Sequence, residues 1–155
     1  MTYSLVPIVM QIDFINHQEF GVELSHLRPF LKKLDKALDT MEGLINVVFV
    51  NDEYIRSLNK SYRGKDAPTD VLSFNYEAEG AGEDLKGEVY ISVDTANRQA
   101  KDHGHSLMDE VAKLLIHGLL HVHGYDHIKD SDYKRMFAIE KQVLGKVVGE
   151  YIASE

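Results

Sequence analysis

One stretch constrains this chain more than any other. Between Ser106 and Val122, the residues Leu107, Val111, Leu114, Leu115, Leu119 and Val122 recur at helical spacing and give a broad apolar face. A helix with so wide an apolar surface belongs at the centre of a domain, with other elements packed over it. Ser106-Leu107-Met108-Asp109 approximates a capping box that opens it, with Asp in place of the usual Glu or Gln. Yet this apolar helix carries His117 and His121, one turn apart and so on the same face. Gly124 can end the helix in a left-handed conformation, and the reversed chain can return His127 to the pair.

Three neutral imidazoles with an open fourth position make a catalytic zinc site rather than a structural one. A single histidine is usually a solvated group or a core side chain bonded to the backbone. Three at this spacing on an apolar helix and its exit turn point instead to a metal. Zinc is the first choice on ligand type, and nickel, iron and copper also suit imidazole. His123, two residues after His121, is expected to point away and be solvated, and His103 and His105 read as loop residues before the cap. Asp126 either orients an imidazole or a bound water, or caps the turn. Helical zinc proteases carry Glu directly after the first His as general base. Here that position is Gly118.

At 155 residues, residues 1–155 are expected to form one domain with a real core. There is no cysteine, which excludes disulfides, thiolate metal sites and a cysteine nucleophile, and suits a reducing cytoplasm. The segment Met1–Gln11 lacks a basic region and is interrupted by Pro7, so it does not read as a signal peptide. No apolar run approaches the ~20 residues that span a bilayer. The expectation is a soluble cytoplasmic protein without a membrane partner. The net charge of −8 argues against a generic nucleic-acid binder. Its distribution tempers that: Arg56, Lys60, Arg63 and Lys65 fall in a stretch without acids, whereas Glu77, Glu79, Glu83, Asp84 and Glu88 cluster against a single Lys86. The strip is either a local binding surface or ordinary solvated charge.

Along the chain, Pro7–Asp13 reads as a first strand. A helix follows in which Leu24, Leu27, Phe30, Leu31, Leu34, Leu38 and Met41 repeat, with Ser25 as cap and Gly43 as stop. Asn46–Val50 reads as a buried strand, after which Asn51 or Asp52 caps a helix towards Tyr62. The turn-rich loop Arg63–Asp70 leads into a strand over Val71–Tyr76, and Glu77–Lys86 is expected to be a mobile loop. Gly87–Val93 alternates as a strand, and Asp94 is expected to cap a helix to about Asp102. Asp130 or Ser131 begins a last helix whose buried stripe is Tyr133, Met136, Phe137, Val143, Leu144, Val147 and Tyr151. Strands and about five helices without strict alternation favour an α+β layer of helices on a small sheet.

A bound zinc lowers the pKa of its water to ~7 and polarises a carbonyl or phosphoryl oxygen. Peptide cleavage also requires protonation of a poor amine leaving group, the task of the protease Glu. Phosphodiester cleavage instead builds negative charge that cations relieve. Arg63, with Lys65 nearby, offers a planar fork suited to phosphate, or else stabilises its own loop. Three blocks then carry a family resemblance: Tyr62-Arg63-Gly64-Lys65-Asp66-x-Pro68-Thr69-Asp70-Val71-Leu72-Ser73-Phe74, Gly87-Glu88-Val89-Tyr90-Ile91-Ser92, and His117-Gly118-x-Leu120-His121-x-x-Gly124-Tyr125-Asp126-His127. In this order and over this length the chain resembles the YbeY family, bacterial metal-dependent single-strand endoribonucleases also described as ribosomal RNA maturation factors. The resemblance implies a zinc on His117, His121 and His127, and Arg63 as the functionally important basic residue. It implies 3′-end maturation of small-subunit (16S) ribosomal RNA and ribosome quality control, with ribosomal or assembly proteins as further candidate partners. It also implies a small, mostly parallel mixed sheet with helices over it and the metal in a cleft. His123 departs from the family pattern, where an apolar residue is common. Two rival readings are a zinc peptidase that draws its base from elsewhere (Glu88 or Asp126) and a non-catalytic ribosome-assembly factor with a stabilising metal.

Overall fold

A computed structural model describes residues 11–38, 43–76, 85–125 and 130–145. The elements in chain order are β1 (Gln11–Asn16), α1 (Leu24–Ala37), β2 (Leu44–Val50), α2 (Asp52–Arg63), β3 (Val71–Asn75), β4 (Leu85–Ser92), α3 (Val93–His103), α4 (Leu107–Val122) and α5 (Asp130–Leu144). The four strands form one sheet in the order β1-β2-β4-β3. β1 and β4 run parallel to β2 on either side of it, and β3 is antiparallel to β4. The architecture is the expected α+β class, a mostly parallel mixed sheet with five helices among the described residues.

β2 is nearly all apolar because both of its faces are covered. Ile45, Val47 and Phe49 face the main core with α4, while Val48 and Val50 meet Ile55 of α2 and Leu72 of β3. α2 and α4 therefore lie on opposite faces of the sheet. α4 packs on β3 and β4 and is flanked by α1, α3 and α5. Burial exceeds what its apolar pattern predicts: every residue from Glu110 to Leu120 is buried. Leu114, Leu115, Ile116, Leu119 and Leu120 are each fully excluded from solvent, worth ~1.5–3 kcal/mol apiece before entropic costs.

Several boundaries differ from the sequence reading, each for a local reason. β1 runs Gln11–Asn16 rather than Pro7–Asp13, in parallel register with β2 from Leu44 to Phe49; Pro7–Met10 lie outside the described residues. α1 begins at Leu24, so Ser25 is inside it, and the capping position is Glu23, whose side chain makes no cap bond. The helix ends at Ala37, because Leu38 turns extended (φ −116°, ψ 103°) and is buried in the core. Asn51 does cap α2, accepting from the Tyr54 amide at 2.8 Å.

The largest difference lies at α3. β4 runs straight into it without a loop, so Ser92 becomes the cap and accepts from the Thr95 amide. Asp94 is displaced into the first turn, where its carboxylate accepts from the Asp52 amide at 2.9 Å. Asp52 answers by accepting from Ser92 Oγ and Thr95 Oγ1, both at 2.6 Å, and from Arg98 at 2.7 Å. The two helix starts thus hold each other.

Burial raises the pKa of Asp52, but the hydrogen bonds from Ser92, Thr95 and Arg98 outweigh it and leave the carboxyl below its ordinary value. Its stabilisation is therefore present above the unfolded carboxylate pKa of ~3.9 and is lost as pH falls through the lower folded value. Replacing Asp52 by Asn is expected to flatten the acid limb of a stability-versus-pH curve while leaving its alkaline limb unchanged. Chemical denaturation repeated from neutral to acid pH reads this directly.

Candidate metal centre

α4 delivers His117 and His121 as their spacing requires. His117 is 3% exposed and His121 half-buried, and their Nε2 atoms converge to 3.0 Å with rings nearly perpendicular at 82°. Behind the pair, Glu140 of α5 places Oε1 3.4 Å from His117 Nδ1, with both side chains buried. That carboxylate favours the proton on Nδ1 and leaves the Nε2 lone pair pointing at His121. A carboxylate behind an imidazole is the usual backing of a metal-ligating histidine. Two Nε2 atoms 3.0 Å apart, one on a buried imidazole and held as an acceptor, fit a shared cation.

The exit from α4 is also as expected. Gly124 adopts φ +93°, the Gly124 amide donates to the His121 carbonyl, and the Tyr125 amide donates back to Leu120. Asn75 of β3 adds Nδ2–H to the Val122 carbonyl at 2.7 Å, tying the helix end to the edge strand. The third expected ligand, His127, and its neighbour Asp126 lie outside the described residues. His123 is not simply solvated. It is half-buried, and its Nδ1 lies 2.8 Å from the Leu119 carbonyl.

Gly118 has a packing explanation. A Cβ there would come within 2.6 Å of Val89 Cγ1 and 3.3 Å of Val71 Cγ2, because α4 rests directly on β3 and β4 at this residue. The position that holds the protease glutamate elsewhere here faces the sheet.

Arg63 is not a loop residue. It ends α2, Gly64 caps that helix at φ +70°, and the guanidinium is exposed with no ion pair to any described residue. The loop after it is pinned from several sides. Asn59, buried in α2, donates to the Ala67 carbonyl, and Arg56 pairs with Asp66 at 2.8 Å. The Asp70 side chain accepts from its own following amide and from Gln99 of α3. The fixed loop holds Arg63 on the sheet face opposite α4, and no described contact joins it to the histidine pair.

The spacing argument missed three buried charges. Glu110, Lys113 and Glu140 are 0%, 1% and 3% exposed. Glu110 and Lys113 continue the stripe that holds His117 and His121, and charged residues at helical spacing inside so apolar a pattern were the available signal. The sequence places His103 and His105 in a loop before the cap; His103 instead ends α3, and both lie on Glu110 Oε1, at 3.1 and 2.6 Å. Burial raises the Glu110 pKa, and hydrogen bonds from Lys113, His103 and His105 overcome it to leave the carboxylate ionised. His103, His105 and Glu110 bring three donor atoms within 4.8 Å of one another and could hold a metal ion. Lys113 already supplies a cation there, with Nζ 2.6 Å from Glu110 Oε2 and 3.4 Å from His103 Nδ1.

Together these features define a small α+β protein whose central helix, buried from Glu110 to Leu120, presents a carboxylate-backed histidine pair. The family model for endoribonuclease YbeY matches residues 13–148. Endoribonuclease YbeY of Bacillus pumilus is 42% identical over 152 residues, covering 88% of this chain and 94% of its own. That of Bacillus licheniformis is 41% identical, covering 80% and 83%, and that of Aquifex aeolicus 48%, covering 66% and 69%. The solution structure of TM1509 from Thermotoga maritima aligns with a TM-score of 0.58 at 28% identity, covering 94% of this chain and 93% of that one. The chain belongs to the endoribonuclease YbeY family.

Proposed function

We propose that this chain, acting as one domain over residues 1–155, is a zinc-dependent endoribonuclease that cleaves single-stranded RNA. Its setting is 3′-end maturation of small-subunit ribosomal RNA in the cytoplasm, beside ribosomal or assembly proteins. Membership of the family supports the activity. The observation that carries the chemistry is the convergence of His117 and His121 Nε2 at 3.0 Å with Glu140 behind. His127, four residues after His123, would complete the ligand set. When bound, a divalent metal there supplies Lewis acidity to a phosphoryl oxygen.

The remaining work falls to side chains. Glu140 holds His117 in the tautomer that presents Nε2. The burial of α4 keeps His117 almost wholly out of water. Arg63, unpaired by any described residue and fixed by its pinned loop, offers a guanidinium to phosphate charge. Gly118 bears on the peptidase alternative: a Cβ at this position would already meet Val89 and Val71, so a glutamate has no room.

The deciding comparison sets metal-loaded, nuclease-free protein against its His117→Ala variant on single-stranded RNA. A loss of cleavage of at least ~100-fold is expected, beyond what disturbing a ligand's backing alone produces. Equal rates for the two proteins would remove the nuclease reading. A casein digest that proceeded in a metal-dependent way would revive the peptidase instead. Glu140→Gln is expected to weaken zinc binding about 10- to 100-fold in competition with a chelator, with the fold intact.

A further inference from the structure

On the sheet face opposite α4, five rings form a continuous row. His17 follows β1, Tyr54 and Tyr62 stand on α2, Phe74 on β3 and Tyr90 on β4. Centroid spacings along the row are 6.0 Å for His17–Tyr54, 6.2 Å for Tyr54–Tyr90, 5.8 Å for Phe74–Tyr90 and 5.1 Å for Tyr62–Phe74. Two of its rings reach well into solvent: Tyr54 is 41% exposed and Tyr62, at one end of the row, 69%. Phe74 and Tyr90 form a half-buried floor. Tyr54 and Tyr62 leave much of their ring surface open, and contiguous exposed aromatic surface is a mark of binding faces.

Glu88 fixes the floor. Its Oε1 accepts from Tyr76 at 2.7 Å and from Tyr90 at 3.3 Å. Burial and that carboxylate push the Tyr90 hydroxyl up to about 12, so it remains a donor at neutral pH. At the Tyr62 end, Lys60, Arg63 and Lys65 are exposed, and none pairs with a described acid within salt-bridge distance. The fourth cation of the strip, Arg56, is taken by Asp66.

We propose that this row is a stacking platform for the unpaired bases of single-stranded RNA, with Tyr54 and Tyr62 contacting bases and Lys60, Arg63 and Lys65 meeting phosphates. Exposed rings beside a basic strip are how sequence-tolerant single-strand binders combine stacking with backbone attraction. The ring spacings exceed the ~3.4 Å rise of a stacked strand in a duplex, so the row suits bases that are already separated. Lys60, Arg63 and Lys65, which pair with no described acid, favour a polyanionic strand as the occupant. This assignment rests on the nuclease reading for its substrate class, and it adds where the bases sit.

The test is fluorescence anisotropy with a 2′-O-methylated single-stranded oligonucleotide and an abasic strand of equal charge, using the metal-loaded full chain. Tyr62→Ala and Tyr54→Ala should each weaken binding of the base-bearing strand about 5-fold or more. Neither should change binding of the abasic strand, and Tyr62→Phe should retain affinity. Both tyrosines are exposed, so far-UV circular dichroism should match the parent for every variant. Parental affinity in both alanine variants overturns the platform, whatever else binds there, and leaves the nuclease intact if His117→Ala alone abolishes cleavage. Equal losses on both strands also overturn it, because the face would then read only charge. Absence of RNA binding by the parent protein would overturn the platform and weaken the nuclease reading with it.

Discussion

Gly118→Glu is expected to leave a chain that does not fold. The new Cβ alone would sit 2.6 Å from Val89 Cγ1, and a β-branched valine held in a strand has little freedom at χ1 to give way. Overpacking of this kind costs ~1–3 kcal/mol. The carboxylate would then enter an apolar seam between α4 and two strands, where no described donor faces it, at a further cost of several kcal/mol. Against a typical total stability of ~5–15 kcal/mol, the sum is disabling. Gly118→Ala should be milder, since its gain in helix propensity of ~1 kcal/mol offsets part of the clash. Soluble yield, circular dichroism and a thermal melt check both. A cooperative melt of Gly118→Glu near the parent temperature would show that α4 does not rest on β3 and β4 at this point. The functional consequence is that a protease base cannot be restored here by one substitution.

The second large effect is expected at Lys113. Its ammonium and the Glu110 carboxylate are almost wholly buried and 2.6 Å apart. Removing one partner of such a pair strands the other charge, at ~3–5 kcal/mol. Lys113→Met should therefore destabilise strongly in urea denaturation at neutral pH. The double variant Lys113→Met with Glu110→Leu should recover most of that loss, because apolar groups of similar volume often replace a buried pair at little cost. A single variant within about 1 kcal/mol of the parent would mean that His103 and His105 satisfy Glu110 alone. In either case the stripe Glu110, Lys113, His117, His121 behaves as two units on one helix: an ion-paired core cluster and, one turn on, the histidine pair.

The elements were largely legible because their local signals agreed with the tertiary environment. Ser106 caps where its position said it would, and of the two candidates Asn51 and Asp52 it is Asn51 that caps α2. A mostly parallel mixed sheet came with the family resemblance, but only the structure shows that β1 and β4 are the parallel partners of β2, since periodicity alone does not pair strands. Ser25 and Asp94 misled for one reason: capping residues act only where the chain turns into the helix, and tertiary contacts moved that point. For α3 the strand simply continued into the helix, so Ser92 took the role and Asp94 became a tether between helix starts.

The sequence by itself determined the central helix, the histidine pair on one of its faces and the missing protease base. These follow from helical periodicity and residue identity, which need no neighbours. Only the tertiary structure decided what stands around them. Glu140 reaches His117 from α5, 23 residues later in the chain. Gly118 is explained by two valines on different strands, and the aromatic row draws on five separate positions brought together by sheet pairing. Contacts between distant segments depend on how faces pack, and packing is a property of the whole fold rather than of any one stretch of chain.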